Sequence, residues 1–373
     1  MEDGHTLVLS RREALAVGAI GIGTTMGRCT ISAALSADDV SWLDEVIRLP
    51  AVAEKIKLRP LLVAESGRPI GDLPTWQQRR RQLMLEWRNV LGRLPPRPRS
   101  GPAYETISNE TVDGIERRRI RYETLPGETT EAYLLRPGNA RGKLPAVVVF
   151  HSTVPHSIHQ PAGVIGAKEK AFGWHLARRG FVALCPRNYL WPDNEHIEAK
   201  AMADRFHEKY PQTTGMARML WEARLAVDLL TTRADVDSRR IGAVGHSLGA
   251  KEVLYLAAFD DRIRATVSSE GGIGLTFSNW NAPWYLGKQI EDAQFVHDHH
   301  ELLALAAPRP FLLIGGDSAD GSKSIPYVTS AQQVYRLFGQ PVRLGLYRHG
   351  KGHAVPPKAL SRSLEWLTTY IAH

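Results

Sequence analysis

At 373 residues and 43% hydrophobic content, the chain is long enough to bury a large core and too apolar for a disordered protein. Its two cysteines, Cys29 and Cys185, exclude a disulfide-built scaffold and a paired-cysteine metal site. The formal charge of +8 is local: Trp76–Arg121 holds eleven arginines against five acidic residues. No aromatic platform is interleaved with them, so they read as a solvated face rather than a nucleic-acid surface.

The N-terminus has the order of an export signal. Ser10-Arg11-Arg12-Glu13 precedes an apolar stretch, Ala14–Gly27, and then small residues from Ser32 to Ala37. The paired arginines resemble a twin-arginine signal, with Ala14 where a larger residue is usual. Glycines at 18, 21, 23 and 27 argue against a stable soluble helix. The apolar core is shorter than the roughly 20 residues of a membrane span. Residues 1–37 are therefore expected to be removed on export to the periplasm or beyond, leaving a mature chain without stable membrane insertion and with Cys185 as a buried thiol.

Residues 38–102 read as a helical extension and linker. Helices are expected over Asp38–Lys57 and Thr75–Leu91, followed by the helix-breaking run Leu94–Gly101. Residues 103–373 read as one catalytic domain. Strands are expected at Tyr104–Ile107, Ile115–Tyr122 and Thr130–Leu135. Strands and helices then alternate: strand Ala146–Phe150, helix Glu169–Arg178, strand Phe181–Cys185, helix Met216–Thr231, strand Arg240–Val244, helix Ala250–Ala258. Strands Ala265–Ser268, Phe311–Ile314 and Val342–Tyr347 complete the pattern, with helices at Ser330–Phe338 and Ser361–Ile371. This alternation implies an α/β class, a doubly wound and mostly parallel sheet covered by helices on both faces.

Gly245-His246-Ser247-Leu248-Gly249 is the central motif. Short Gly-x-Ser-x-Gly patterns occur by chance, but here a strand precedes and a helix follows, the context a nucleophile elbow needs. The turn would hold Ser247 strained and outward, and the glycines would admit the crowded neighbouring backbone. It would also place the Leu248 amide at a helix N-terminus as an oxyanion donor. A serine needs a base and an orienting acid, expected in that chain order beyond later strands. His353 and His349 compete as base; His353, after two glycines and before Ala354-Val355-Pro356, is preferred. Asp317 and Asp320 compete as acid after the strand ending at Ile314; Asp320, further out, is preferred, with the other forming the turn. The second oxyanion donor is expected from the Thr153 amide, with His151 shaping that loop.

Together these residues resemble the dienelactone-hydrolase and acetyl-xylan-esterase-like branch of the α/β-hydrolases. The resemblance runs from about Ala103 to the C-terminus. It rests on His151-Ser-Thr, Gln160-Pro-Ala-Gly163, Leu176-Ala-Arg-Arg-Gly-Phe-Val182, Val236-Asp237 into the elbow, Asp298-His-His-Glu-Leu302 and Ala307-Pro-Arg-Pro-Phe-Leu-Leu313. It implies the α/β-hydrolase fold and a metal-free, cofactor-free serine esterase with a Ser247–Asp320–His353 triad, acting through an acyl-enzyme on small or carbohydrate-linked esters. Arg187-Asn188 departs from the aspartate many relatives carry after Pro186. The rival readings are a serine peptidase of the same fold and a binding protein that has lost catalysis.

Two features invite other readings. His297-Asp298-His299-His300 looks like a metal cluster, yet adjacent residues at a helix start diverge, and Asp298 with Glu301 fits a capping box. Trp280, Trp284, Tyr285 and Trp191 could stack on sugar faces or floor a lid. The oligomeric state is not legible.

Overall fold

The β-branched run Leu144-Pro-Ala-Val-Val-Val-Phe150 forms the central strand. Its side chains alternate between two cores: Ala146, Val148 and Phe150 face one, Val147 and Val149 the other. Period-two alternation with both faces buried is the mark of a sheet covered on both sides. The computed structural model describes residues 39–51, 56–96, 101–192 and 198–373, all within the unit Ala33–His373. The expected signal segment, 1–37, lies outside the described residues.

Among the described residues the strands are β1 Tyr104–Val112, β2 Ile115–Glu123, β3 Thr129–Pro137, β4 Leu144–Phe150, β5 Val182–Pro186, β6 Val236–His246, β7 Ile263–Ser269, β8 Phe311–Gly315 and β9 Leu344–Arg348. The helices are α1 Leu43–Ile47, α2 Leu73–Leu91, α3 Phe172–Ala177, α4 Ala199–Lys209, α5 Gly215–Thr232, α6 Leu248–Phe259, α7 His300–Ala306, α8 Ile325–Leu337 and α9 Pro357–Ile371. The sheet order is β1-β2-β3-β5-β4-β6-β7-β8-β9. β1, β2, β3 and β5 pair antiparallel; from β5 through β9 every pairing is parallel.

The chain runs from β4 outward to β5 and then returns to β6 on the other side of β4. That reversal makes a switch point between the carboxyl ends of β4 and β6, where ligands bind in open α/β sheets. Val149 pairs with Val244 and Phe150 with Gly245, so the elbow after β6 opens onto this crevice beside the loop after β4.

The first expected helix is shorter than its pattern. α1 covers only Leu43–Ile47, and Leu49-Pro50 follows, where the residue before a proline is driven out of the helical region. α2 matches better: Asp72 accepts from the Thr75 amide at 2.8 Å, Pro74 fits the first turn and Gly92 closes it. α4 has no counterpart among the expected helices; its charged residues are as many as its apolar ones, three of which are alanines, so its apolar face is weak. Both N-terminal helices pack into the same body as the sheet. Trp76, Leu83 and Trp87 of α2 enter one core, and Val46 of α1 packs against Gly345 of β9 in the other. Among the described residues no helix is long and apolar enough to cross a membrane.

The arginines of β2 are mostly paired rather than simply solvated. Arg117 meets Glu110 and Arg118 meets Glu116, while Arg119 and Arg121 converge on Glu131.

Candidate active site

Ser247 terminates β6 and begins α6 with φ 60° and ψ −116°, a conformation that an ordinary residue holds only when its surroundings impose it. Two glycines make the turn possible. A Cβ on Gly245 would lie 2.2 Å from the Gly249 carbonyl, and one on Gly249 would lie 2.5 Å from the Phe150 carbonyl oxygen. The turn therefore needs both glycines in order to fold against β4. Leu248 supplies the first amide of α6, and a helix leaves its first N–H groups without intrahelical acceptors.

His353 sits on the loop after β9, tied down by backbone bonds from His349 N to Gly315 O (2.9 Å) and from Gly352 N to Gly316 O (2.8 Å). Its ring lies 4.8 Å from that of His246, the residue preceding Ser247. His246 is buried, with Nδ1 3.1 Å from Ser269 Oγ, and burial holds its pKa well below the ordinary histidine value. It therefore stands as a neutral wall beside His353. His349, the competing base, accepts from the Lys351 amide within its own turn.

The acid beside His353 is not the expected one. His353 Nδ1 lies 3.3 Å from Glu270 Oε2, and the Glu270 side chain is fully buried. Glu270 follows β7 directly, at φ 56°, and its amide donates to Ile314 O at 2.9 Å, prolonging the β7–β8 pairing by one residue. Its carboxylate also accepts from the Gly316 amide and from the Ala319 amide at 2.7 Å. Asp320 is also fully buried, but it faces the other way. It accepts from Gly272 N (2.7 Å), Ile273 N (2.9 Å) and Ser324 Oγ (2.8 Å), and none of its hydrogen bonds reaches His353. Burial raises its pKa despite those donors, and the nearby Glu270 adds to the rise. The two loops thus clasp each other: the carboxylate of the β7 loop takes amides from the β8 loop, and that of the β8 loop takes amides from the β7 loop. Asp317 makes the turn, accepting from Ser322 N at 2.8 Å.

On the other side of the crevice, His151 is buried, and its Nε2 accepts from the Asn188 amide at 3.1 Å. Its Nδ1 is then the protonated nitrogen, donating to Ser152 O at 2.7 Å. Burial lowers its pKa to about 4. His151 therefore shapes this loop as a neutral strut, and Asn188 serves through its backbone. Thr153 is exposed and lines a cavity of about 640 Å³ together with Trp191.

Lys251 stands one helical turn beyond Ser247 and is almost wholly buried. Its Nζ donates to Ser278 Oγ at 2.8 Å and lies 3.7 Å from the Trp280 ring centroid and 4.9 Å from that of Tyr285. Burial pushes its pKa down to about 7, opposed by Asp320. Trp280 and Tyr285 are therefore packed floor under this ammonium, with Trp280 Nε1 donating to Gly272 O at 2.7 Å. Trp284 is partly exposed.

The histidine run diverges. His297 bonds Glu301 (2.7 Å), His300 bonds Arg59 O (2.8 Å), and His299 spans Tyr255 Oη (2.8 Å) and Ile273 O (2.7 Å). The expected capping box is not formed. Asp298 accepts instead from His299 N, Leu275 N and Tyr327 Oη, which ties the insertion after β7 to α8.

A sequence model of the Dienelactone hydrolase family matches residues 130–301. The fold is that of the α/β-hydrolases. Solved structures similar to this chain include a glucuronoyl esterase from Solibacter usitatus, at TM-score 0.69 and 21% identity, covering 85% of this chain and 98% of that one. Another is a CE15 glucuronoyl esterase from Teredinibacter turnerae, at TM-score 0.66 and 20% identity, covering 83% and 88%. By sequence, "Putative hydrolase YtaP" of Bacillus subtilis is 30% identical over 203 residues, which span 51% of this chain and 62% of that protein. A 4-O-methyl-glucuronoyl methylesterase of Phanerochaete carnosa is 25% identical over 358 residues, 83% of this chain and 79% of that one.

Two residues beside the candidate site escaped the sequence reading. Glu270 had a signal: Ser268-Ser269-Glu270-Gly271-Gly272 sets an acid at a strand end before two glycines, in the same Ser–acid–His chain order. Lys251 also had one, the one cation in a mostly apolar helix, four residues after Ser247 and so on the same face.

Proposed function

We propose that this α/β-hydrolase is a serine carboxylic-ester hydrolase with a Ser247–Glu270–His353 triad. The observation that carries it is the strained Ser247 directly after His246, whose ring lies 4.8 Å from an exposed imidazole with its Nδ1 3.3 Å from a buried carboxylate. Glu270, held by two backbone amides, orients His353 and stabilises the imidazolium. His353 Nε2 takes the Ser247 proton as Oγ bonds the ester carbonyl carbon. The oxyanion is met by the Leu248 amide and, from across the crevice, the Thr153 amide. Collapse breaks the bond to the alcohol, which leaves with the proton from His353. Water, deprotonated by the same imidazole, then releases the acid and Ser247.

The substrate we propose is a carbohydrate ester whose acyl group is a uronic acid. The names of the glucuronoyl esterase and 4-O-methyl-glucuronoyl methylesterase relatives support this. We place its action outside the cytoplasm, in keeping with the export signal read at residues 1–37. The test is hydrolysis of a glucuronic acid methyl ester, p-nitrophenyl acetate and a peptide amide by wild type and Ser247→Ala. Turnover of the esters by wild type alone is expected; equal ester turnover by both proteins refutes the mechanism.

A further inference from the structure

The base of the proposed triad is held only loosely by its own loop. His353 follows the turn at Gly350–Gly352, where a Cβ on either glycine would meet nothing within 4 Å. Two backbone bonds tie that turn to the loop after β8, and the second of them ends at Gly352 N. The chain rejoins the core at Val355. Between those points the His353 side chain is 42% exposed. Among the described residues it makes one hydrogen-bonding and one ring contact. Nδ1 lies 3.3 Å from Glu270 Oε2, and the ring lies 4.8 Å from that of His246 with the planes 49° apart.

A single bond at Nδ1 does not aim the opposite nitrogen. It fixes where one edge of the imidazole sits and leaves the tilt of the plane open, and Nε2 moves with that tilt. At 3.3 Å the bond is also just beyond the ordinary N–H···O range. Nε2 is the atom that must meet Ser247 Oγ, and an error of about 1 Å at such a place can cost about 100-fold in rate. Tilt is fixed by a surface packed against the ring, and His246 is the ring in that position.

His246 is itself firmly held. It ends β6, immediately before Ser247, and is buried. In the β6–β7 pairing it stands opposite Ser269, and its Nδ1 lies 3.1 Å from Ser269 Oγ. Ser247 N donates to Ser269 O at 2.8 Å, and Ser269 directly precedes Glu270. One imidazole thus adjoins the nucleophile in the chain, touches the residue before the acid and packs against the base. Its charge suits the place. Burial disfavours a proton on it, and Lys170, His353 and His349 disfavour it further, opposed by the His353 backbone. A neutral ring puts no second cation against the imidazolium that forms on His353.

We propose that His246 is a positioning residue for the base: its ring sets the tilt of the His353 imidazole, and its contact with Ser269 keeps that ring in register with the end of β7. The role rests on the Ser247–Glu270–His353 reading above and deepens it.

The experiment follows acylation with two esters that share an acyl group and differ in the alcohol. The ethanol of ethyl acetate must take a proton from His353 as it leaves, whereas p-nitrophenolate leaves p-nitrophenyl acetate without one. Full-length His246→Ala, His246→Asn and His246→Phe are compared with wild type. Each kcat/KM is expressed per site labelled at Ser247 by a fluorophosphonate, so that an unfolded fraction does not count. Alanine removes both the ring and the contact with Ser269, asparagine keeps an oxygen near the place of Nδ1 without a ring, and phenylalanine keeps a ring alone. His246→Ala and His246→Asn are expected to lose about 30-fold or more on ethyl acetate and about threefold on p-nitrophenyl acetate, and His246→Phe about threefold on each. Should His246→Ala not fold, the contrast between His246→Asn and His246→Phe carries the test. Equal losses on the two esters in His246→Ala and His246→Asn mean a packing role alone and overturn the assignment, as does a His246→Phe no better than His246→Asn. Ser247→Ala and Glu270→Gln run alongside. Either of them as active as wild type refutes the triad; inactive controls beside equal losses in the His246 series refute the role of His246 alone.

Discussion

Replacing Glu270 by Gln separates the proposed acid from its neighbour Asp320 more sharply than any other change. The Glu270 carboxylate receives the Gly316 amide, the Ala319 amide and His353 Nδ1, three donors on two oxygens. A glutamine offers one oxygen and an NH2. Whichever way it lies, its NH2 faces a donor, and where the oxygen takes the Gly316 amide the NH2 faces both the Ala319 amide and His353 Nδ1, pushing the imidazole to the wrong tautomer. Loss of a triad carboxylate in this manner lowers kcat by about 10⁴. At about 1.4 kcal/mol per decade that is about 5 kcal/mol of transition-state stabilisation. The mismatched amide adds a folding cost of about 1–3 kcal/mol. Asp320→Asn meets three donors as well, from Gly272, Ile273 and Ser324, so its folding cost is of the same order, about 1–3 kcal/mol. It loses no contact with His353, so kcat should stay within roughly tenfold of wild type. The assay is steady-state hydrolysis of p-nitrophenyl acetate beside urea unfolding of each variant. Comparable unfolding midpoints with a thousandfold gap in kcat support the assignment. An inactive Asp320→Asn beside a Glu270→Gln that keeps more than about a tenth of wild-type kcat refutes it.

Other outcomes follow from the same geometry. A fluorophosphonate should label wild type at Ser247 on peptide mapping and leave Ser247→Ala unlabelled. Gly249→Ala would force a Cβ to within 2.5 Å of the Phe150 carbonyl oxygen, so it should destabilise by about 1–3 kcal/mol and abolish labelling as the elbow shifts, measured by urea unfolding and fluorophosphonate uptake. Lys251 has a folded pKa of about 7 against an ordinary 10.5, so the unfolded chain holds more protons between those values and stability contributed by the site rises with pH across that window. Lys251→Met should flatten the rise by up to about 1.4 kcal/mol per pH unit; parallel stability–pH curves for the two proteins would contradict the buried, readily deprotonated ammonium. Protein recovered from its native periplasm should begin near Ala34–Asp38, and N-terminal sequencing that returns Met1 would refute export.

The fold was legible because its signals are local. Buried strands such as Ala146–Phe150 announce themselves by unbroken β-branched runs, and the elbow by a strand, a Gly-x-Ser-x-Gly turn and a helix in succession. That Ser247 and His353 would lie just past the ends of β6 and β9 could be read from chain order. The carboxylate beside His353 could not be read the same way. β7 and β8 are parallel neighbours, with Ser269 opposite Ile314, so the loops after both strands open at the same edge, within reach of the histidine loop. Each offers a carboxylate within six residues of its strand end. Which one turns toward His353 is settled by where their other hydrogen bonds go, and those are tertiary: Glu270 to amides 46 and 49 residues away, Asp320 to amides 48 and 47 residues away. Exchanging the partners would leave four buried amide donors and two buried carboxylates to be matched anew. The clasp therefore stabilises one assignment as a unit, and a local pattern shows only that two candidates exist. Lys251 was hidden for a related reason. Its burial depends on the insertion after β7, whose Trp280 and Ser278 fold back over the helix that begins after Ser247. The groups that escaped a reading of single elements are thus those held in place by contacts between loops distant in sequence, and these loops border the crevice where the chemistry is proposed to occur.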